Sequence, residues 1–206
     1  MDEETIADPA ALRELVGEPT QLTKDKVGDR LLDVHRQWLA HTPFVVLATS
    51  DAQGRCDASP KGDPAGSLVT VLDERRVALA ERPGNKRVDG YFNVLDNPHV
   101  GLVCLIPGRG DTMRLNGRAT LVRDAPWFDQ LVVQGRRPLL ALTIDVDEVF
   151  FHCAKSLVRS RLWHPESWNP QAVASPAELA RMSERPDASV TALEEFQLSQ
   201  YSTGLY

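Results

Sequence analysis

In the N-terminal part of the chain, apolar positions recur at intervals of three and four. Val27, Leu31, Val34, His35 and Trp38 share one side of a helix predicted from about Asp25 to Leu39, which Thr42-Pro43 ends. Upstream, Asp8-Pro9, then ALREL, then Gly17 predicts a short capped helix. After Pro43 the period changes to two. FVVLATS (44–50) is a β-branched run, DAQG (51–54) a hairpin turn, and RCDASPKG (55–62) its polar, alternating partner. SLVTVL (67–72), VALA (77–80), VGLVCLIP (100–107), TMRLNGRATLVRD (112–124) and PLLALTIDVDEVFFHC (138–153) continue the series, mostly across tight turns. Helices are predicted at 87–95, around 125–134 and near 154–160. Ser175-Pro176 then opens a capped helix, and another covers 189–199. Strands joined mainly by hairpins predict an antiparallel barrel or sandwich rather than a parallel sheet.

Composition adds limits. The chain of 206 residues is 42% apolar and 25% charged, the make-up of one globular domain with terminal additions. A net charge of −6 opposes a general nucleic-acid or anionic-membrane role but leaves room for one local basic pocket. Cys56, Cys104 and Cys153 are far apart and odd in number, which suits free thiols in a reducing cytoplasm. His152 beside Cys153 is too little for a zinc site. The acidic N-terminus lacks the apolar run of a signal peptide, and no stretch is long enough to span a membrane. The chain is expected to be soluble and cytoplasmic, with no metal.

Three stretches carry candidate chemistry. In ERPGNKRVDGYFNVLDNP (81–98), a strand runs through Pro83-Gly84 into a helix whose face holds Val88, Phe92 and Leu95. Asn85 is placed to cap that helix, and Arg82, Lys86 and Arg87 surround its start. Free N–H groups and positive charge at a helix start form a cradle for an anion, the alternative being a solvated basic turn. In CDASPKG (56–62), Asp57, Ser59 and Lys61 share one strand face, as a polar ligand wall or as an exposed edge. In HCAKSLVRSRLWHPESW (152–168), Lys155, Arg161 and Trp163 stand among further basic and aromatic residues. These suit either a planar, partly charged ligand or tryptophans packed at a subunit interface. No nucleophile motif, zinc motif or Walker loop is present. Asp145, Asp147 and Glu148 read as a solvated face, and His35 and His99 as structural histidines.

The order of FVVLATSDAQGRCDASPKGDPAG, VALAERPGNKRVDGYFNVLDNPHVGLVCLIPG, MRLNGRATLVRD and FFHCAKSLVRSRLW resembles the pyridoxamine 5′-phosphate oxidase-like FMN-binding split-barrel superfamily, more narrowly a bacterial branch of it. The resemblance covers about residues 30–168. It implies a mainly β, six- to seven-stranded antiparallel split barrel with flanking helices, dimerising around one FMN per subunit. The N-terminal helices (1–40) would pack on the barrel (41–168), and a helical tail (169–206) would follow. Asp57, Ala58, Ser59 and Lys61 would face the flavin ring and ribityl chain, and Lys61 would stabilise negative charge on the reduced ring. Arg82, Asn85, Lys86 and Arg87 would hold the phosphate, with Ala80 and Glu81 leading in. Lys155, Arg161 and Trp163 would approach from the partner subunit. The family's oxidases carry a Trp and an Arg-x-His element near the C-terminus; RSRLWHPESW has those residue types in another order, a departure that argues against vitamin B6 oxidation and leaves FMN binding intact. The implied activity is an FMN-dependent oxidoreductase of unnamed substrate, with non-enzymatic flavin or haem binding, or F420-dependent reduction, as alternatives on the same fold.

Overall fold

The computed structural model describes residues 3–205; Met1 and Asp2 of the acidic N-terminus, and Tyr206, lie outside them. The N-terminal segment holds α1 (Pro9–Val16), α2 (Gln21–Asp25) and α3 (Asp33–Leu39). Asp8 caps α1 by accepting from Ala11 N–H, and Gly17 ends it, as the sequence predicts. Only α3 of these buries side chains, namely His35, Trp38 and Leu39.

The helix expected from Asp25 is interrupted. Gly28 instead exchanges backbone hydrogen bonds with Val149, and Leu31 N–H donates to Glu74 O at 2.7 Å. This segment is an extended strap, and helix resumes only at Asp33. Tertiary pairing overrides a helical period that two separate contacts happen to mimic.

The strands are β1 (Phe44–Ser50), β2 (Cys56–Gly62), β3 (Val69–Val71), β4 (Arg76–Ala80), β5 (His99–Leu105), β6 (Thr112–Val122) and β7 (Ala141–His152). They form one sheet in the order β2-β1-β5-β6-β7-β4-β3, and every pairing is antiparallel. The result is an open, barrel-like α+β fold. Inward residues alternate as the period predicts: Val45 and Leu47 on β1, Leu102 and Cys104 on β5, Met113 and Leu115 on β6, Ile144 and Val146 on β7.

The register of β6 and β7 shifts between Asn116 and Gly117. A Cβ at Gly117 would collide with the Asp145 carbonyl, so the bulge requires glycine there. Such bulges bend a strand, and here the bend lies on the two longest strands of the sheet.

The helix predicted around 125–134 is a single 3-10 turn, Phe128–Leu131. Phe128 and Leu131 from it are buried against Ala78, Ala80 and Ala141, in a second small core outside the barrel. Then follow α4 (Asp89–Asp96), which precedes β5 in the chain, and α5 (Lys155–Ser160), α6 (Pro176–Ser183) and α7 (Val190–Thr203) after β7. Ser175 caps α6 in a reciprocal box with Glu178, and Ala177 and Leu193 are buried residues of the α6–α7 pair. Among the described residues, no helix is long and apolar enough to cross a membrane.

Candidate functional site at the split of the barrel

Strands β2 and β4 make no backbone ladder with each other, yet their ends converge on one cavity of about 690 Å3. Asp57, Ala58, Ser59 and Lys61 line it from β2, and Ala80, Glu81, Arg82, Asn85, Lys86 and Arg87 from the end of β4 and its loop. The two groups that the sequence separates are therefore brought to one place. Asp57, Ser59 and Lys61 are half-buried, and Cys56, Ala58 and Pro60 between them are exposed, as a period of two requires.

Side chains close what the ladder leaves open. Lys61 Nζ donates to Glu81 Oε2 at 2.9 Å, and Arg82 Nε donates to Asp63 Oδ2 at 2.7 Å. Both pairs join the end of β2 to the end of β4. Arg82 also reaches the Leu131 carbonyl at 2.9 Å, which ties the loop to the 3-10 turn. Its partners make Arg82 a structural brace of the cavity wall.

The loop itself departs from the sequence reading. Helix α4 begins at Asp89, two residues later than predicted, and Val88 in its N-cap position offers no side-chain cap. Asn85 Oδ1 accepts from Arg87 N–H at 3.1 Å, so it closes a turn ahead of the helix rather than capping it. Lys86 (φ 61°) and Val88 (φ 50°) are left-handed, and neither is glycine. For β-branched Val88 this conformation costs roughly 1–3 kcal/mol, and strain of this kind collects at ligand sites. Alternation of left- and right-handed residues is how backbone N–H groups are gathered into concavities that receive anions. Lys86 and Val88 supply the left-handed members.

The buried face of α4 also differs. Gly90, Tyr91 and Val94 are buried, and Phe92 and Leu95 are exposed. A Cβ at Gly90 would stand 3.2 Å from Asp57 Oδ2 and 3.4 Å from Thr49 Oγ1, so the glycine lets the helix lie close against β1 and β2. Tyr91 is the site residue that the sequence reading misses. Its hydroxyl donates to Glu81 Oε2, the oxygen that also receives Lys61, and Lys61 Nζ stands 4.8 Å above its ring. Burial first, and then the Glu81 carboxylate, push the Tyr91 phenol well above its ordinary pKa, so it stays protonated.

The cavity is lined by charges of both signs in equal number. Its cations are Lys61, Arg82, Lys86 and Arg87, and its carboxylates are Asp57, Asp63, Glu81 and Asp89, so four of each give zero net formal charge. Three pairs are made: Lys61–Glu81, Arg82–Asp63 and Arg87–Asp89. Lys86 and Asp57 are the members left outside these pairs. The basic cluster of the sequence is thus largely neutralised, and among the described residues Lys86 is the cavity cation outside these pairs.

Lys155, Arg161 and Trp163 do not line this cavity. Lys155 opens α5, Arg161 binds Glu166 at 3.0 Å, and Trp163 Nε1 donates to the Arg109 carbonyl at 2.6 Å. Arg109, held by Asp111, lies 5.0 Å over the Trp38 ring and helps line a second groove of about 500 Å3 with Phe151. Among the described residues, no group of His, Cys, Asp and Glu is arranged to hold a metal ion.

No curated protein matches the chain significantly. Solved structures with a similar fold include HupZ of Group A Streptococcus, 19% identical over 59% of this chain and 93% of that one, with a TM-score of 0.47. Another is the Clostridium acetobutylicum protein related to general stress protein 26, of the pyridoxinephosphate oxidase family, at 12% identity, 57% and 84% coverage and TM-score 0.44. The heme storage protein HutZ of Vibrio cholerae is 17% identical over 60% of this chain and 94% of that one, with a TM-score of 0.41. A family model described as pyridoxamine 5′-phosphate oxidase matches residues 31–153. That match spans more than half of the chain, from the strap before α3 through β7, and the chain belongs to the pyridoxamine 5′-phosphate oxidase-like family.

Proposed function

We propose that the protein binds FMN in the cavity at the split of the barrel and works as a flavin-dependent oxidoreductase. The supporting observation is the meeting of β2 with the strained 81–88 loop around Lys86, the cation outside the cavity's salt bridges. A volume of about 690 Å3 lies within the range of cofactor sites. The residues fit a ligand with one anionic end. Lys86 and the loop backbone would take the phosphate; the Asp57, Ser59 and Lys61 side chains, with the backbone at Ala58, would face the ring and ribityl chain.

Bound FMN would supply hydride transfer at its ring. The chain's own part is to hold and orient: the Ser59 hydroxyl and Lys61 ammonium offer donors, and Asp57 offers an acceptor. Tyr91, kept protonated, is a donor and not a base. The charge account favours FMN over the alternatives on this fold. A haem brings two propionates and F420 an acidic tail, and each needs more unpaired cations than Lys86 provides.

The cofactor reading includes a homodimer. The outer face of β2, β1 and β5 carries Val46 between Pro60 and Val103, and Ala48 between Ala58 and Gly101. A sheet face that meets water normally alternates to polar residues; this one does not. A second copy against it would carry Lys155, Arg161 and Trp163 toward the cavity. The free thiols Cys56 and Cys153, both exposed, suit a cytoplasmic setting.

The test is titration of purified protein with FMN, followed by reduction with NADH or NADPH. Uptake at one FMN per subunit followed by reduction supports the proposal, and no uptake at micromolar FMN sinks it. Uptake without reduction by any donor leaves a flavin-binding protein that is not an enzyme.

A further inference from the structure

The Lys61–Glu81–Tyr91 cluster carries more than cofactor holding requires. One carboxylate oxygen, Glu81 Oε2, serves both Lys61 Nζ at 2.9 Å and the Tyr91 hydroxyl. Lys61 Nζ is also 3.3 Å from the Tyr91 oxygen. The Lys61 and Glu81 side chains are only 22% and 23% exposed, and both line the cavity. A lone lysine at this place would present a full positive charge to a ligand. Paired with Glu81 it presents a donor on a neutral unit, because the opposite charge is within hydrogen-bonding distance.

We propose that Glu81 is a specificity-determining residue: by holding Lys61 and Tyr91 on one oxygen, it keeps the inner wall of the cavity neutral and disfavours a second negative charge on the ligand. The phosphate end meets Lys86, and the other end meets no surplus cation. The ligand class is one with a single anionic terminus and an uncharged, hydrogen-bonding body. In the flavin reading, on which this inference rests for the identity of the ligand, the oxidised ring fits that wall better than the reduced ring, which carries an additional negative charge. Lys61 alone would give the reverse preference, and Glu81 cancels it.

The prediction has a sign that a purely structural role lacks. In Glu81→Gln, the freed Lys61 charge tightens reduced FMN relative to oxidised FMN about tenfold, which raises the two-electron midpoint by about 30 mV. In Lys61→Gln, the freed Glu81 carboxylate moves the midpoint the other way by a similar factor. The double variant returns near the wild-type value. Midpoints that do not move, or move in the same direction in both single variants, overturn the inference. So does Glu81→Gln protein that no longer takes up oxidised FMN, since Glu81 would then bind the ligand directly.

A measurement without flavin tests the cluster itself. Phenolate absorbance of the ligand-free protein, with Tyr91→Phe as the blank, follows ionisation of Tyr91. Glu81→Gln should let Tyr91 ionise at lower pH than in wild type, because a carboxylate that disfavours the phenolate is gone. Identical titrations mean that Glu81 does not govern the cluster, and the inference fails. If wild type takes up no FMN while Tyr91 responds to Glu81, the flavin proposal falls and the neutral wall stands for another ligand.

Discussion

Arg82 Nε and Asp63 Oδ2 meet at 2.7 Å across the split of the barrel, and their side chains are 13% and 1% exposed. A buried pair of this kind adds little over a well-packed apolar pair, but removing one partner strands a charge. Arg82→Ala removes a charged partner of the buried Asp63 carboxylate and the side-chain donor to the Leu131 carbonyl. The expected loss is ~3 kcal/mol, read as a lower urea midpoint at unchanged slope. Arg82→Ala that is as stable as wild type would return Arg82 to the role of a ligand cation.

Lys86 and Arg87 are neighbours in sequence with different expected effects. Among the described residues Lys86 has no salt-bridge partner, whereas Arg87 Nε donates to Asp89 Oδ2 at 2.7 Å and its side chain is 74% exposed. Lys86→Ala should weaken FMN about 10- to 100-fold, the size of one charge-assisted phosphate contact. Arg87→Ala should weaken it less, because its charge is already shared with Asp89. Fluorescence quenching of FMN by each variant gives the two constants, and equal losses would show that Arg87 leaves Asp89 when the ligand binds.

What the sequence makes legible follows from range. β1–β7 are all read in place because tight turns and the period of two are local signals. The strap from Lys26 to Leu32 is misread because its contacts, Gly28 with Val149 and Leu31 with Glu74, are distant in sequence. The same holds for the site. Its cations are visible as a cluster, but their neutralisation is not: Glu81 is 20 residues from Lys61, and Asp63 is 19 from Arg82. Tyr91 is hidden because the more apolar trio Val88, Phe92 and Leu95 reads as the packed face. Gly90, Tyr91 and Val94 form a different face of the same helix, and packing against β1 and β2, distant in sequence, turns that face inward.

The three thiols should divide sharply in reactivity. Cys104 is fully buried on β5, and desolvation pushes its pKa up to about 12. Because the thiolate is the reactive form, Cys104 should be inert to a disulfide reagent at neutral pH. Cys56 and Cys153 are exposed and should react. The native protein is expected to titrate two thiols rapidly and the third only in denaturant. A third rapid thiol would mean that β5 opens in the native state.

His35 couples stability to pH. It lies in the core 5.2 Å from the Phe151 ring, and its Nδ1 accepts from Leu32 N–H at 3.1 Å, in place of a conventional cap on α3. Burial lowers its pKa below the ordinary 6.5, and a hydrogen bond with the Arg30 backbone offsets only part of that. In the unfolded chain the imidazole takes up a proton near its ordinary pKa; in the fold it resists. Between those two values the unfolded state binds more protons, so stability rises with pH in that window. His35 therefore contributes no pH penalty above about 6.5, and stability falls as pH drops from there through the lowered folded value. Asparagine keeps an acceptor near the position of Nδ1 and has no proton to gain. His35→Asn should lose some packing at all pH values yet show a shallower fall in urea midpoint between pH 7.5 and pH 5 than wild type. Parallel curves for the two proteins would assign the acid sensitivity to other groups and leave His35 with a packing role alone.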